Sequence, residues 1–300
     1  MRKGIIFSLM TAILFATLEP VSRLIANDVS PFAMTFWRFL IGSVMLLTPA
    51  IMKVKKDNIH IDGKDIMMMV LLGILNVCFS MVALQIAVKM AADAKTNTSL
   101  IAIIFSANSI FTILFATLLV KDEKITKNKA IALVLGIIGV IICADFSSGA
   151  NLWSVALAVV AALSFSLYTA ISQKYTKKIS GVIQSSGVFL SGSIVLLIIL
   201  LVMRQPLVPV FNPKTVGILL YLGIFITGFG YVSYFKAIEK GGAIMASFAF
   251  FIKPILSPFV EWIVNGNVPG FKIFLAVFFI MVASYFAVYA KKVTDKAVGK

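Results

Sequence analysis

Ten apolar stretches of bilayer length follow one another along the chain, cut by charge or by Pro and Gly into approximately residues 4–23, 32–52, 66–88, 97–120, 129–145, 153–173, 181–203, 215–235, 244–264 and 270–290. A helix rises about 1.5 Å per residue and a hydrocarbon core is about 30 Å thick, so each run is long enough to cross or nearly cross a membrane. The connectors are about 3–13 residues long, which leaves no room for a soluble domain. The pattern predicts an all-α polytopic membrane protein. The first run follows Met1-Arg2-Lys3 and has no convincing small-x-small cleavage site, so it reads as an uncleaved first span.

One run breaks its own pattern. Ile244 to Val264 carries Lys253 near its middle, followed at once by Pro254. A lysine at a helix centre costs roughly 2.5–3.5 kcal/mol on insertion scales. Pro254 lacks an N–H, so the carbonyl of Phe250 loses its helical donor and a helix break is expected. A charge and a break at one depth are tolerable where that face lines a wet cavity or meets a partner charge.

Composition supports the membrane reading. The chain is 60% hydrophobic and 13% charged, with mean hydropathy +1.03, well beyond soluble domains. The net charge of +15 raises nucleic acid as a partner, but the positions of the charges exclude it. With the N-terminus in the cytoplasm, residues 2–3, 53–64, 121–129, 174–178, 236–240 and 291–300 face inward and carry 19 of the 27 basic residues. Six face outward, and Arg38 and Lys253 lie within spans. This bias predicts both termini cytoplasmic, with the basic loops against anionic lipid headgroups. His60 is the single histidine and sits in a charged loop, and Cys78 and Cys143 lie in apolar runs as packing residues. No metal set, cofactor motif or nucleophile–base pair is visible, so the chain does not read as an enzyme.

Shifted by 150 residues, the chain partly matches itself. Val70 to Ala92 meets Leu220 to Gly242, with Gly73 on Gly223, Phe79 on Phe229 and Ala87 on Ala237. Five spans per unit make the second copy enter from the opposite side. Residues 1–146 and 147–300 are therefore expected as two inverted five-helix repeats, an architecture that puts a solute site near the midplane.

Four ionisable residues fall within spans: Glu19, Arg38, Lys253 and Glu261. Glu19 and Arg38 lie at comparable depth, so they could pair. Lys253 could instead reach Glu19 if the proline-broken helices at Pro20 and Pro254 face one another. Glu261, about 12 Å further along its helix than Lys253, is expected near the outer headgroups beside Trp262. Glu19 and Lys253 could bind substrate charges or carry a proton, or could form a static pair that fixes packing. Asn76, Asn108, Tyr168 and Tyr231 are further polar candidates at membrane depth, either for solute or as helix glue. Trp37, Trp153 and Trp262 fall near span ends, as interfacial anchors do. Ala132, Gly136 and Gly139 give the fifth span a small-residue face, suited to close packing within a monomer or to a homodimer contact.

The order of these pieces resembles the EamA type of the drug/metabolite transporter superfamily over almost the whole length. The matching segments are Pro31 to Phe39 with Trp37-Arg38-Phe39, Ser106 to Glu123, and Lys253 to Asn267. The resemblance implies inward termini, two inverted repeats, a central cavity from the first four helices of each half, and export or exchange of small metabolites or drugs. Ser109 stands where the family carries a proline, which predicts a straighter helix there. Asn267 stands near the family's second-half glutamate, and the Glu19–Lys253 pair is not general in the family. The expected function is a secondary transporter for an amino-acid-like or drug-like metabolite, working by alternating access with or without a coupling proton. The expected setting is a bacterial inner (plasma) membrane, with a lipid-handling or non-transporting protein of the same fold as the alternative. A zwitterion would put its carboxylate on Lys253 and its ammonium on Glu19. If those two residues neutralise each other, a neutral or aromatic solute fits better.

Overall fold

The computed structural model describes residues 2–119, 127–143, 152–176 and 179–297, and these are helical between short connectors. Residues 121–126, the core of one basic loop, lie outside that set. In chain order the elements are α1 (Arg2–Ala16), α2 (Leu18–Arg23), α3 (Pro31–Lys56), α4 (Gly63–Gly73), a π-helical stretch (Ile74–Met81) and α5 (Val82–Asp93). Then come α6 (Ser99–Ser106), α7 (Asn108–Leu119), α8 (Lys127–Cys143), α9 (Leu152–Thr176) and α10 (Gly181–Val202). The chain finishes with α11 (Pro213–Leu220), a second π-helical stretch (Tyr221–Gly230), α12 (Tyr231–Asn265) and α13 (Phe271–Ala297).

Among the described residues, six helical segments are long and apolar enough to cross a membrane: Gly4–Arg23, Pro31–Lys56, Gly63–Asp93, Leu152–Ser172, Gly181–Val202 and Pro213–Ala237. Ser99–Thr112, Ala130–Gly139 and Phe271–Ala283 are shorter apolar helices. The chain is thus a multi-pass helical membrane protein. Large apolar side chains such as Ile13, Val44, Leu71, Ile198 and Ile263 are exposed, while charged groups are buried. That inversion suits a lipid-facing surface with a polar interior.

Local chemistry sets the boundaries. Ser30 accepts from the Ala33 amide and Pro31 opens α3, Asp62 and Asp65 form a capping box on α4, and Asn212 with Pro213 starts α11. Gly266, at φ +73°, ends α12 in the left-handed conformation. Pro20 clashes with the carbonyl four residues back, and α1 stops there, at Ala16. The Thr17 hydroxyl fills the gap, bonding Leu14 O at 2.8 Å and the Tyr221 hydroxyl at 2.9 Å.

Two expectations about helix breaks change. The helix runs through Pro254, and through Pro258 after it, because only the carbonyls of Phe250 and Pro254 lose amide donors and packing holds the rest. The fourth span is interrupted without a proline. It breaks at Ala107 between α6 and α7, where Asn108 Nδ2 donates to Phe105 O (2.7 Å) and Ser109 Oγ to Ser106 O (3.1 Å). Side chains that compete for helix carbonyls do there what the missing proline would have done.

α12 is helical from Tyr231 to Asn265, yet it is not one rod. Tyr234 and Phe250 pack with ring centroids 5.8 Å apart, although 16 residues of straight helix would separate them by about 24 Å. Phe15 likewise touches both Tyr231 (5.3 Å) and Phe250 (6.2 Å). The chain therefore reverses between Tyr234 and Phe250, an interval holding Gly241 and Gly242, and its two limbs pack antiparallel.

The packing pattern is exchanged by the 150-residue shift. α3 packs on α10 and α8 on α13, while α1 packs on α12 and α9 on α5, α6 and α7. A methyl on Gly73 would lie 2.6 Å from Val188 O and 2.7 Å from Gly192 N, and one on Gly223 would lie 2.6 Å from Ile41 and 3.3 Å from Arg38 O. Gly192 meets Gly73 O and Gly42 meets Gly223 O in return. Gly42 and Gly192, like Gly73 and Gly223, are 150 apart. Both π-helical stretches also fall in the aligned segments. The small face of α8 is used inside the chain, with Gly136 against Ile110 and Ala283 and Gly139 against Ile280.

Candidate functional site

Glu19 and Lys253 form a buried ion pair. Glu19 is fully buried on α2 and Lys253 is 1% exposed on the second limb of α12, with Nζ 2.7 Å from Glu19 Oε1. The break at Thr17 and the fold-back of α12 together bring them to one level. The Lys253 ammonium also sits 5.0 Å from the centroid of the Phe105 ring, a cation–π contact. Of the two pairings open to Glu19, the structure takes Lys253 rather than Arg38.

Arg38 stands beside this pair without a carboxylate of its own. It is 2% exposed, its guanidinium carbon lies 4.6 Å from the Phe39 ring centroid, and its charge interacts with Tyr231 and Glu19. Nε and Nη2 find no hydrogen-bond partner among the described residues, nor does Glu19 Oε2. One acid and two bases thus share the buried centre, leaving one surplus positive charge.

The π-helical stretches bring in the neutral polar groups. Asn76 lies in the first, and Tyr231 follows directly on the second. Tyr231 is buried and interacts electrostatically with Arg38 and Asn76, and both amide atoms of Asn76 lack a hydrogen-bond partner among the described residues. Tyr168 on α9 is buried, with its hydroxyl beside Ser172. Asn108 is not brought to this centre, since its amide is held by the carbonyl at the α6–α7 break. Ser257, one turn past Lys253, is a further buried hydroxyl without a bond.

Aromatic rings enclose the charges in a continuous series. Phe39 packs on Phe189 (4.9 Å), Phe189 on Tyr231 (4.7 Å), Tyr231 on Phe15 (5.3 Å) and Phe15 on Phe250 (6.2 Å). Phe250 continues to Phe165 (6.3 Å), and Phe165 to both Phe105 (5.3 Å) and Tyr168 (5.7 Å). The series runs from the ring under Arg38 to the ring under Lys253.

A second polar centre lies about two turns further along α12 than Lys253. Glu261 is fully buried, which corrects its expected place among the headgroups; Trp262 beside it is half exposed. The Glu261 carboxylate accepts from Arg23 Nη1 (2.8 Å), Asn265 Nδ2 (2.9 Å), Asn267 Nδ2 (2.8 Å) and the Thr98 hydroxyl. Arg23 also donates to Thr96 O at 2.6 Å. Asn265 ties the same cluster to Pro20 O at 3.0 Å. With the Thr98 backbone N–H (3.4 Å), five donors replace the water that burial removes. α2 and α12 are therefore joined by two ion pairs, Glu19–Lys253 and Arg23–Glu261, and by the Asn265–Pro20 hydrogen bond. By the charge pattern of the sequence Arg23 is one of the six outward-facing basic residues, and the structure turns it onto Glu261. The signal that could have found the pair was depth, since Arg23 closes the first span where Glu261 nears the end of the ninth. A groove of about 510 Å³ opens beside this cluster, lined by Lys95, Thr96, Asn97 and Lys272 among others.

Trp153 is exposed as an anchor would be. Trp37 instead donates its indole N–H to Leu207 O at 3.0 Å and pins the connector between α10 and α11.

Comparison with known proteins bears on this arrangement. The EamA-like transporter family model matches the chain twice, over residues 2–144 and 152–289. The chain belongs to the EamA-like transporter family. A Clostridium kluyveri protein named as an uncharacterized transporter is 34% identical over 293 residues, covering 95% of this chain and 92% of that one. The Bacillus subtilis uncharacterized transporter YdfC is 25% identical, with 85% and 81% covered. A crystal structure 14% identical covers 95% of each chain at a TM-score of 0.69, which speaks for the fold alone. This EamA-like chain is thus a membrane transport protein by family, with a buried charged centre walled by aromatic rings.

Proposed function

We propose that this chain is a secondary transporter or exporter for a small amino-acid-like or drug-like metabolite, working by alternating access in a bacterial plasma membrane. It crosses the membrane ten times with both termini in the cytoplasm. The two halves, 1–146 and 147–300, are inverted repeats. The exchanged glycine contacts and the two family matches support that reading. The solute binds at Arg38, Glu19 and Lys253, with Asn76, Tyr168 and Tyr231 as neutral partners. Glu19 carries the coupling proton in this proposal, a reading supported by its second oxygen, which has no donor among the described residues, and its first, bonded to Lys253.

The observation that carries the proposal is the Glu19–Lys253 pair. It links a helix of the first half to one of the second, at full burial, beside an arginine with two unsatisfied donors. A pair serving only to lock helices would leave no neighbouring charge unsatisfied.

The test is uptake by the purified chain in sealed proteoliposomes. Radiolabelled metabolites are screened with and without an imposed pH gradient. Saturable uptake that Glu19→Gln abolishes is the expected result. Lipid scrambling with no solute uptake would replace transport by lipid handling. Full uptake by both Glu19→Gln and Lys253→Met would remove these residues from the mechanism.

A further inference from the structure

We infer that the transported solute is a monocarboxylate with a flat apolar body, and that Arg38 receives its carboxylate. The inference rests on the transport reading above and narrows its substrate.

Three features lead to it. The two unsatisfied donors of Arg38, Nε and Nη2, share one edge of the guanidinium. That edge presents two parallel N–H groups at the spacing of two carboxylate oxygens, a match a lysine cannot make. A structural arginine at 2% exposure would have those donors filled by protein oxygens. The nearest carboxylate, Glu19, is already held by Lys253.

Charge sets the valence. Glu19, Lys253 and Arg38 leave one positive charge in a buried site. A monoanion cancels it, a dianion overshoots, and a zwitterionic or neutral solute leaves it standing. A buried uncancelled charge is costly, so the site favours the monoanion. Asn76, with both amide atoms unsatisfied, and Tyr231 lie at the same place to accept or donate one further hydrogen bond.

The surroundings set the rest of the molecule. Phe39 lies under the guanidinium, and Phe189 and Phe15 flank Tyr231. Rings favour other flat apolar groups by offset or edge contact.

The test uses the purified full-length chain in detergent with four probes of similar size: 3-phenylpropionate, its neutral amide 3-phenylpropanamide, L-phenylalanine and phenethylamine. A thermal-shift titration is read for each, since a bound solute raises the melting temperature by mass action. The acid is expected to give the largest rise and to bind at least about tenfold more tightly than its amide, a single bidentate contact being enough for that ratio. Arg38→Lys should lose about tenfold in affinity for the acid while keeping the charge. Arg38→Met should lose the acid response and melt no lower than the parent, because it removes an uncancelled charge. An acid no better than its amide, a tighter fit for L-phenylalanine or phenethylamine, or an acid response retained by Arg38→Met would each overturn the inference. Proteoliposome uptake separates the two levels. Transport of amines or neutral compounds without acids would sink the carboxylate assignment and leave the transporter standing. No uptake of any labelled solute would sink the transporter reading itself.

Discussion

Phe39 and Phe189 stand 150 residues apart in sequence and pack edge to face, 4.9 Å between centroids and 73° between planes. Each is the other's counterpart under the shift that aligns the two halves. A residue that touches its own counterpart lies at the axis relating the halves. Arg38 precedes one of these rings and lies off that axis, and its counterpart is Val188. The frame is nearly symmetric, and the charged centre is not.

The Glu19–Lys253 pair should behave as a unit. Glu19→Gln alone or Lys253→Met alone leaves an uncompensated buried charge, and each should lower stability by about 3–5 kcal/mol. The double variant should recover most of that loss without recovering uptake. Thermal unfolding in detergent with a double-mutant cycle reads the coupling. Additive losses in the double variant would mean that the two groups do not depend on one another.

Glycine substitutions should separate backbone contacts from side-chain ones. A methyl on Gly73 meets backbone atoms at 2.6 and 2.7 Å, whereas one on Gly228 meets the Met45 sulfur, which can swing aside. Gly73→Ala should therefore lower the melting temperature clearly, and Gly228→Ala should stay near the parent. Equal melting of the two variants would contradict the close approach of α4 and α10.

Removing the charge on Glu261 should loosen the outer cluster. Glu261→Gln keeps the shape but weakens the bond to Arg23 and turns one acceptor into a donor facing Asn265 or Asn267. Hydrogen bonds to a charged group contribute about 1.5–3 kcal/mol each. Ser22→Cys, fully buried at present, reports access in a background with Cys78 and Cys143 replaced. A membrane-impermeant maleimide should label it faster once Glu261→Gln is added. Unchanged labelling would mean that the cluster does not close the path from that side.

The helices were legible because lipid demands long apolar runs, and the charges because they interrupt those runs. Lys253 and Glu19 could be paired from depth and their neighbouring prolines. The fold-back within α12 is compatible with two runs in sequence, but the break at Ala107 had no proline to announce it. Glu261 was misplaced because a carboxylate near a span end reads as a headgroup contact until its donors are known. Those donors come from α2, from the connector before α6 and from the end of α12, and no local pattern joins them. The aromatic wall was illegible for a different reason: a phenylalanine facing lipid and one facing a charge look alike in sequence.

The glycine contacts have a mechanical consequence. Gly42 lies one turn beyond Phe39, and Gly192 one turn beyond Phe189. Each lies against a short side chain and a glycine carbonyl of the other half, Thr227 and Gly223 O for Gly42, Val77 and Gly73 O for Gly192. Side chains interlocked across a helix pair must climb out of their sockets before the pair can turn. At these two positions only a short β-branched side chain, Thr227 or Val77, and a glycine carbonyl fill the seam, so little has to disengage. The two contacts flank the Phe39–Phe189 rings, so the seam between the segments related by the 150-residue shift is built from small residues around one ring pair.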